Sequence, residues 1–108
     1  MDYSQLSDRD IDYRVLEEIY GNQAKDKDIM RAWMRGGFKY TTNPADAWQI
    51  ITSNRISLMH DESLGKWCAG KPSWVDGCEW QLDIDVMDEN PLRAAMIVFL
   101  MMQEANHA

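Results

Sequence analysis

Arg93 is the residue whose sequence context points most directly to binding chemistry. It is the only charged residue between Leu92 and Met102. It follows Asn90-Pro91, a pair typical of a helix start, because Asn caps free backbone N–H groups and Pro already has helical φ. The free N–H groups of a helix start carry partial positive charge and can hold an anionic group such as a phosphate. Arg93 and Asn90 are therefore candidates for binding an anionic ligand or the carboxylate of a partner.

Arg93 also has a simpler explanation within the protein. A cation in the first helical turn opposes the helix dipole by about 0.3 kcal/mol or more, so some other group should compensate its charge. A salt bridge to Asp88, Glu89 or a more distant carboxylate would do this. The sequence leaves both alternatives open.

Five tryptophans in 108 residues are more than a core of this size usually needs. Exposed tryptophans stack on bases or anchor protein interfaces. Trp74 lies in the turn-rich segment 70–77 and is the best candidate for an exposed anchor, with packing over a sheet edge as an equal alternative. Trp48 fits either a core or a surface role. Trp80 falls on the apolar side of an alternating run, which predicts that it is buried.

Residues 25–39 form a basic segment in an acidic chain. They contain five basic and two acidic side chains, a charge of +3, while the whole chain carries −7, so the rest carries −10. Arg31 and Arg35 are the candidate binding residues of this segment. The overall negative charge repels a phosphate backbone and argues against general binding of duplex DNA.

The chain contains no recognisable motif for catalysis or for holding a metal or cofactor. It lacks a Gly-x-Ser-x-Gly sequence, a Walker loop and the spacing of zinc ligands. Asp83 and Asp85 fit a solvated strand face better than a cation site, and Asp88-Glu89 fits a turn. Cys68 and Cys78 are interpreted as reduced thiols. We therefore expect a non-enzymatic protein with no metal and no cofactor.

Neither the start of the chain nor its apolar content indicates export or membrane insertion. The first residues lack the basic and apolar regions of a signal peptide. The longest apolar stretch falls well short of the roughly 20 residues that a membrane helix needs. We expect a soluble cytoplasmic protein that does not associate with a membrane.

Three helices are predicted from capping signals and apolar spacing. The first runs from Ser7 to Gly21, the second from Asn43-Pro44 to about Asn54, and the last from Pro91 to about Glu104. Residues 22–42 are expected to form a short helix followed by a loop or an edge strand. The last helix is apolar nearly all round, so it is either enclosed in the core or part of a homodimer interface.

Three strand-like runs follow the second helix, at 55–59, 66–70 and 78–86, and an antiparallel meander is their most economical arrangement. In the third run, Cys78, Trp80, Leu82, Ile84 and Val86 are predicted to face inward, with acidic residues on the wet face. The fold class is therefore α+β: a small antiparallel sheet of about three or four strands packed with helices as a sandwich, in a single domain over residues 1–108.

Three blocks of the sequence resemble the NinX-like family of small phage proteins. They are MDYSQLSD at the start, YTTNPADAW with RISL in the middle, and NPLRAAMIVFLMMQ at the end. The resemblance implies a protein encoded in the accessory region of tailed phages and working in the bacterial cytoplasm. It also implies a fold similar in outline to the phage αβα sandwich domains. It brings no established activity and no site residues.

The leading hypothesis is a non-enzymatic phage accessory protein that acts by binding, engaging or inhibiting a host protein during infection. One alternative is binding or sequestering a small nucleotide or other anionic metabolite, such as a host defence signal, with Arg93, a basic residue of 25–39 and a tryptophan forming the pocket. Another is an unrecognised factor of nucleic-acid metabolism. A large exposed acidic or apolar surface would favour the first hypothesis, and a deep pocket where Arg93 and a tryptophan converge would favour the second.

Overall fold

The computed structural model describes residues 1–107, so Ala108, the last residue of the predicted domain, lies outside the described part. The elements, in chain order, are α1 (Asp8–Tyr20), α2 (Lys27–Met34), α3 (Pro44–Ser53), β1 (Ser57–Asp61), β2 (Lys66–Val75), β3 (Glu79–Asp88) and α4 (Pro91–His107), with short 3-10 helices at Tyr3–Gln5 and Gly21–Lys25. The three strands form an antiparallel meander in the order β1-β2-β3. The predicted α+β class is confirmed.

Local capping explains where the helices begin. The Ser7 hydroxyl accepts a hydrogen bond from the backbone N–H of Asp10 at 3.1 Å, and α1 ends where Gly21 adopts a φ of 56°. The Asn43 side-chain oxygen caps α3 by accepting from the N–H of Ala45 at 3.0 Å. The Asn90 side-chain oxygen accepts from the N–H of Leu92 at 2.9 Å. Both Asn-Pro pairs therefore start helices, as their sequence predicts.

Helix α4 lies at the centre of the core. All seven residues from Ala94 to Leu100 are buried. The sheet covers one side of α4, through Leu58, Ala69 and Val86, and helices α1 and α3 cover the other. A fully buried aliphatic side chain contributes about 1.5–3 kcal/mol, so this stretch supplies a large part of the stability of the fold. Enclosure within one copy of the chain accounts for the apolar character of α4.

The connection from α2 to α3 is a loop, the first of the two predicted alternatives. The guanidinium of Arg9 donates to the carbonyl oxygens of Trp33 at 2.9 Å and Gly37 at 3.1 Å, and it stacks on the Trp33 ring 3.4 Å from the ring centroid. The buried carboxylate of Asp12 accepts from both the N–H and the hydroxyl of Thr41 at 2.9 Å. Because side chains of α1 bond this backbone, it needs no neighbouring strand.

β1 and β3 begin and end later than predicted, whereas β2 begins at the predicted Lys66 but continues to Val75, so the segment 71–75 belongs to a strand and not to a loop. The cause is a tight connection at Asp76 and Gly77, which have φ values of 53° and 66°. The N–H of Cys78 closes this turn by donating to the carbonyl of Val75 at 3.1 Å. An Asp-Gly pair is typical of such hairpin turns, and it places Trp74 within β2.

A β-bulge divides the β2–β3 hairpin into two parts. Ala69 pairs with Val86, but two residues further along β2 Lys71 pairs with Asp83, so β3 carries one extra residue opposite Gly70. Ile84, at the bulge, has a φ of 50°. Side chains alternate between the two faces along a strand. The extra residue therefore places the β3 side chains on the hairpin-tip side of the bulge on the opposite face from the one that unbroken alternation would give.

This bulge makes the prediction for Trp80 wrong. Val86 packs toward α4, but Trp80 and Leu82 lie beyond the bulge and point to the other side of the sheet. Trp80 is 68% exposed, and Cys78 and Ile84, which were also expected to face inward, are exposed as well. Apolar and polar residues do alternate in the sequence of β3, but the bulge divides the apolar side chains between the two faces of the sheet.

Candidate functional site: an exposed apolar sheet face

The sheet face turned away from α4 is apolar and uncovered, and we call it the outer face. Cross-strand pairs point to the same side of a sheet, so the strand register defines its members. They include Met59, Cys68, Pro72, Trp74, Trp80, Leu82 and Met87. Met59 is 56% exposed, Trp74 52% and Met87 40%, whereas Cys68 is buried in the middle of the face. Exposed apolar side chains gathered on one face, unlike scattered ones, mark interaction sites.

Trp74 and Trp80 form the most prominent feature of the outer face. They occupy directly paired positions on β2 and β3, and their ring centroids lie 5.2 Å apart at an interplanar angle of 64°. This edge-to-face geometry contributes about 0.5–1.5 kcal/mol and orients both rings. Rings already held in place lose little conformational entropy on binding, which suits an interface anchor.

The β2–β3 hairpin that carries the outer face is acidic. From Pro72 to Glu89 the chain has no lysine or arginine and six carboxylates, of which Asp88 is paired with Arg93 and Glu79 and Asp83 pair with residues of the other face. Burial, followed by the nearby carboxylates of Asp85 and Asp61, raises the pKa of the Cys68 thiol. The thiol therefore stays protonated at neutral pH and is a poor nucleophile. Cys68 and Cys78 are both free, as predicted.

Arg93 is engaged within the protein. Its Nε atom lies 3.1 Å from Asp88, and one terminal nitrogen lies 2.8 Å from Asp8. The other terminal nitrogen donates to the carbonyl oxygens of Leu6 at 2.7 Å and Ser4 at 3.2 Å. The Arg93 side chain is only 13% exposed. The structure thus contains the intramolecular compensation, and these contacts fasten the start of the chain to the start of α4.

Asn90 also uses its polar atoms inside the fold. Its side-chain nitrogen donates to the carbonyl of Thr41 at 2.6 Å, while its side-chain oxygen caps α4. Thr41 is buried and bonded to Asp12, so Asn90 joins the start of α4 to the loop that precedes α3. These contacts give Asn90 a role in folding.

The other candidate residues lie on separate elements. Trp48 is 62% exposed on α3, and Arg31 and Arg35 are exposed at the end of α2. A surface groove beside α1 is lined by Trp33, but its basic residues are Arg9 and Arg14. Arg93 does not line that groove. The groove therefore lacks the combination of Arg93 with a tryptophan that was predicted for binding an anionic metabolite.

Among the side chains that the structure describes, those of residues 1–106, there is no cluster of three or more His, Cys, Asp or Glu that could hold a metal ion. Within residues 1–107, no helix has the length and apolar character needed to cross a membrane.

The outer face was not predicted from the sequence, because the alternating pattern of β3 assigned Trp80 to the core. The signal that was available is the Asp76-Gly77 pair, which predicts a hairpin with Trp74 and Trp80 close together near its tip. The bulge that exposes Trp80 has no such signal.

Comparison with known proteins identifies the family of the chain. The family described as Bacteriophage P22, NinX matches residues 2–103. No curated protein and no solved structure matches the chain. Because the match spans nearly the whole sequence, including both Asn-Pro helix starts and the β2–β3 hairpin, the chain belongs to the phage P22 NinX family.

Proposed function

We propose that this phage accessory protein acts by binding a host protein in the cytoplasm of the infected bacterium, and that it does so through the outer face. The observation that carries the proposal is the exposed Trp74–Trp80 pair on that face. Tryptophan is enriched among the residues that dominate the energy of protein interfaces. A pair of oriented tryptophans beside exposed methionines offers a rigid anchor together with an adaptable rim.

The dimensions of the outer face suit the centre of an interface. Ten residues of β2 span about 33 Å beside β3, and β1 adds a third strand only along residues 66–70, so with strands about 4.8 Å apart the sheet covers roughly 400 Å². This area is about half of the roughly 800 Å² that each partner buries in a standard interface. The rest of the contact would come from the acidic positions around the face.

Charge complementarity selects the kind of partner. The carboxylates close to the face, Asp61 and Asp85 beside Cys68 and Asp76 at the hairpin turn, favour a protein surface with an apolar centre and a basic border. A second copy of this chain would bring the same carboxylates into opposition, and like charges across an interface are unfavourable. We therefore assign the outer face to a different protein.

The two other hypotheses have less structural support. An anionic metabolite would need cationic groups, but the guanidinium of Arg93 is bonded to Asp8, Asp88 and backbone carbonyls. A factor of nucleic-acid metabolism would have to offset the net charge of −7 to approach a phosphate backbone.

The experiment compares affinity capture by three tagged versions of the chain in phage-infected cells, with protein and small-molecule analysis of what is retained. The Trp74→Ser/Trp80→Ser variant removes the anchor, and Trp48→Ser removes an equally exposed tryptophan from α3. We expect a discrete host protein to be retained by the wild type and by Trp48→Ser but lost with the double variant, and to be released by raised salt. Equal retention by all three versions, or recovery of the chain itself as the partner, would contradict the proposal.

A further inference from the structure

A second concave region lies on the other side of α4 from the sheet. It is an open groove of about 520 Å³ between the end of α1, the loop before α3, and α3 itself. Its lining includes Tyr20, Phe38, Tyr40, Asp46, Gln49 and Ser53. The whole lining has one carboxylate and no lysine, arginine or histidine.

Three aromatic rings form one wall of the groove. The ring centroids of Tyr20 and Phe38 are 5.8 Å apart at 69°, and those of Phe38 and Tyr40 are 6.2 Å apart at 25°. Phe38 has a φ of 60°, a left-handed conformation that costs a non-glycine residue stability. Backbone strain of this kind is found where a binding site needs a particular side-chain orientation, and here it sets the Phe38 ring between two tyrosines.

The polar groups of the groove have unused hydrogen-bonding capacity. One carboxylate oxygen of Asp46 accepts from the backbone N–H of Lys39 at 2.9 Å, and the other has no hydrogen bond within residues 1–107. The Tyr40 hydroxyl also has no hydrogen bond among the described side chains, and since no buried polar side-chain atom there lacks a partner, this hydroxyl is open to the groove. Both oxygens are therefore accessible to a donor that enters the groove.

The electrostatics of the groove favour a cation. Burial raises the pKa of Tyr40, and the proximity of Tyr20 and Asp46 raises it further, because a second negative charge is unfavourable there. The faces of aromatic rings also carry negative potential and attract cations. An anion would be repelled by the Asp46 carboxylate, and a neutral ligand would leave that carboxylate covered without compensation.

We propose that this groove binds a guanidinium group, the arginine side chain of a protein partner. A guanidinium is flat and weakly hydrated, so it can stack on the half-buried rings of Tyr20 and Phe38 while donating to Asp46 and to the accessible Tyr40 hydroxyl oxygen. The amide of Gln49 and the hydroxyl of Ser53 offer further acceptors to the remaining N–H groups. The inference rests on the proposed protein-binding function and adds a second contact on the opposite side of the molecule from the outer face.

The test is a titration of the isolated chain, followed by NMR of the backbone amides of the groove. The probe is N-acetyl-arginine amide, and N-acetyl-citrulline amide is its neutral control of the same shape. We expect saturable shifts with the arginine probe at a dissociation constant of about 1 mM, as one exposed ion pair with stacking allows, and none with citrulline. Equal binding of citrulline, or no saturation with arginine, would overturn the proposal.

Variants identify the groove as the place of binding. Asp46→Asn keeps the acceptor for the Lys39 N–H but removes the charge, and it should weaken arginine binding at least about fivefold. Gln49→Lys, at an exposed position of α3, supplies an internal cation and should abolish binding without unfolding the chain, as checked by circular dichroism. Trp80→Ser on the outer face should bind like the wild type.

Two results would overturn the assignment in different ways. If Gln49→Lys binds the arginine probe unchanged, the cation site lies elsewhere. If spermidine competes and binds more tightly than the arginine probe, the groove belongs to a free polyamine. The titration requires no partner protein, so the two experiments can fail separately. Failure of the titration would overturn the guanidinium site but not the capture result at the outer face, and failure of capture would overturn the proposed function but not the titration result.

Discussion

The two faces of the sheet differ in what covers them, although the same three strands build both. The face toward α4 presents Leu58, Ala69 and Val86 to a helix whose residues 94–100 are all buried. The outer face presents exposed methionines and the Trp74–Trp80 pair to solvent. One face of a small sheet is enough to hold a domain of this size together. The other face is then free to carry apolar residues for binding.

The bulge at Ile84 creates this difference within one hairpin. On the side of the bulge nearer α4, Val86 points to the core and Met87 outward, whereas between the bulge and the hairpin tip Trp80 and Leu82 point outward. Bulges occur next to functional sites, where they redirect side chains. Here the bulge converts what would be two more core residues, Trp80 and Leu82, into surface.

The largest expected effect on stability comes from truncating a buried methionine of α4, and its control is the truncation of an exposed methionine on the outer face. Met96 of α4 is fully buried, so Met96→Ala should lower the free energy of unfolding by about 2–5 kcal/mol. Met87→Ala makes the same change at a residue that is 40% exposed and should cost less than about 1 kcal/mol. Urea denaturation of both variants measures the difference. Similar losses would mean that the outer face is covered in the free protein.

The second prediction concerns the close approach of the strands at the bulge. A Cβ at Gly70 would lie 2.9 Å from the Cβ of Leu82 and 3.1 Å from the carbonyl oxygen of Asp83. Gly70→Ala should therefore destabilise the protein by about 1–3 kcal/mol and disturb the Trp74–Trp80 pair. The matched control is Ser73→Ala on the same strand, which should keep both stability and tryptophan fluorescence. An unchanged Gly70→Ala protein would show that the bulge is not built as described.

The third prediction is a loss of stability at alkaline pH that is caused by the buried Tyr3, on the α4 side of the sheet. Burial, and then a hydrogen bond to Glu104 of α4, raises the pKa of Tyr3 to about 12 from an ordinary value of 10.0. The folded protein holds this proton more tightly than the unfolded chain does. The resulting stability is complete below about pH 10 and is lost as the pH rises toward about 12, by roughly 2 kcal/mol.

The control for this pH effect is Tyr3→Phe, which has no proton to lose at this position. Urea denaturation across the same pH range should show a smaller alkaline loss for Tyr3→Phe than for the wild type. Identical pH profiles would mean that the Tyr3 hydroxyl does not contribute to holding the start of the chain against α4.

The smallest expected effect is on the stability of the outer face itself. Trp80→Ser removes an exposed ring and its edge-to-face contact with Trp74, so the loss should be about 1 kcal/mol or less. Thermal unfolding beside the wild type measures this change. A loss comparable to that of Met96→Ala would place Trp80 in the structural core and remove the basis for a free binding surface.

The features predicted correctly from the sequence depend on neighbours in the chain. Ser7, Asn43 and Asn90 cap helices because each bonds to a backbone N–H two or three residues away. The order of elements and the antiparallel meander follow from the same local signals. The family resemblance depends on contiguous blocks and is confirmed by the match over residues 2–103.

The features that were missed depend on distant contacts. The hydrophobic pattern of β3 alternates without a break, so nothing in it marks the extra residue near Ile84 that exposes Trp80. Arg93 stood out as a cation in an apolar helix, but Asp8 and Leu6, which bond it, lie more than 80 residues earlier in the chain. Only the tertiary structure shows which of its two explanations is present.

Site-specific photocrosslinking in infected cells tests the outer face most directly. A photoreactive amino acid is placed at position 74, 80 or 48 in turn, and crosslinked products are identified by mass spectrometry. We expect the same host protein to be crosslinked from positions 74 and 80 of the outer face, and no such product from position 48 on α3. The absence of any discrete product from positions 74 and 80, or an equal yield from position 48, would contradict this expectation.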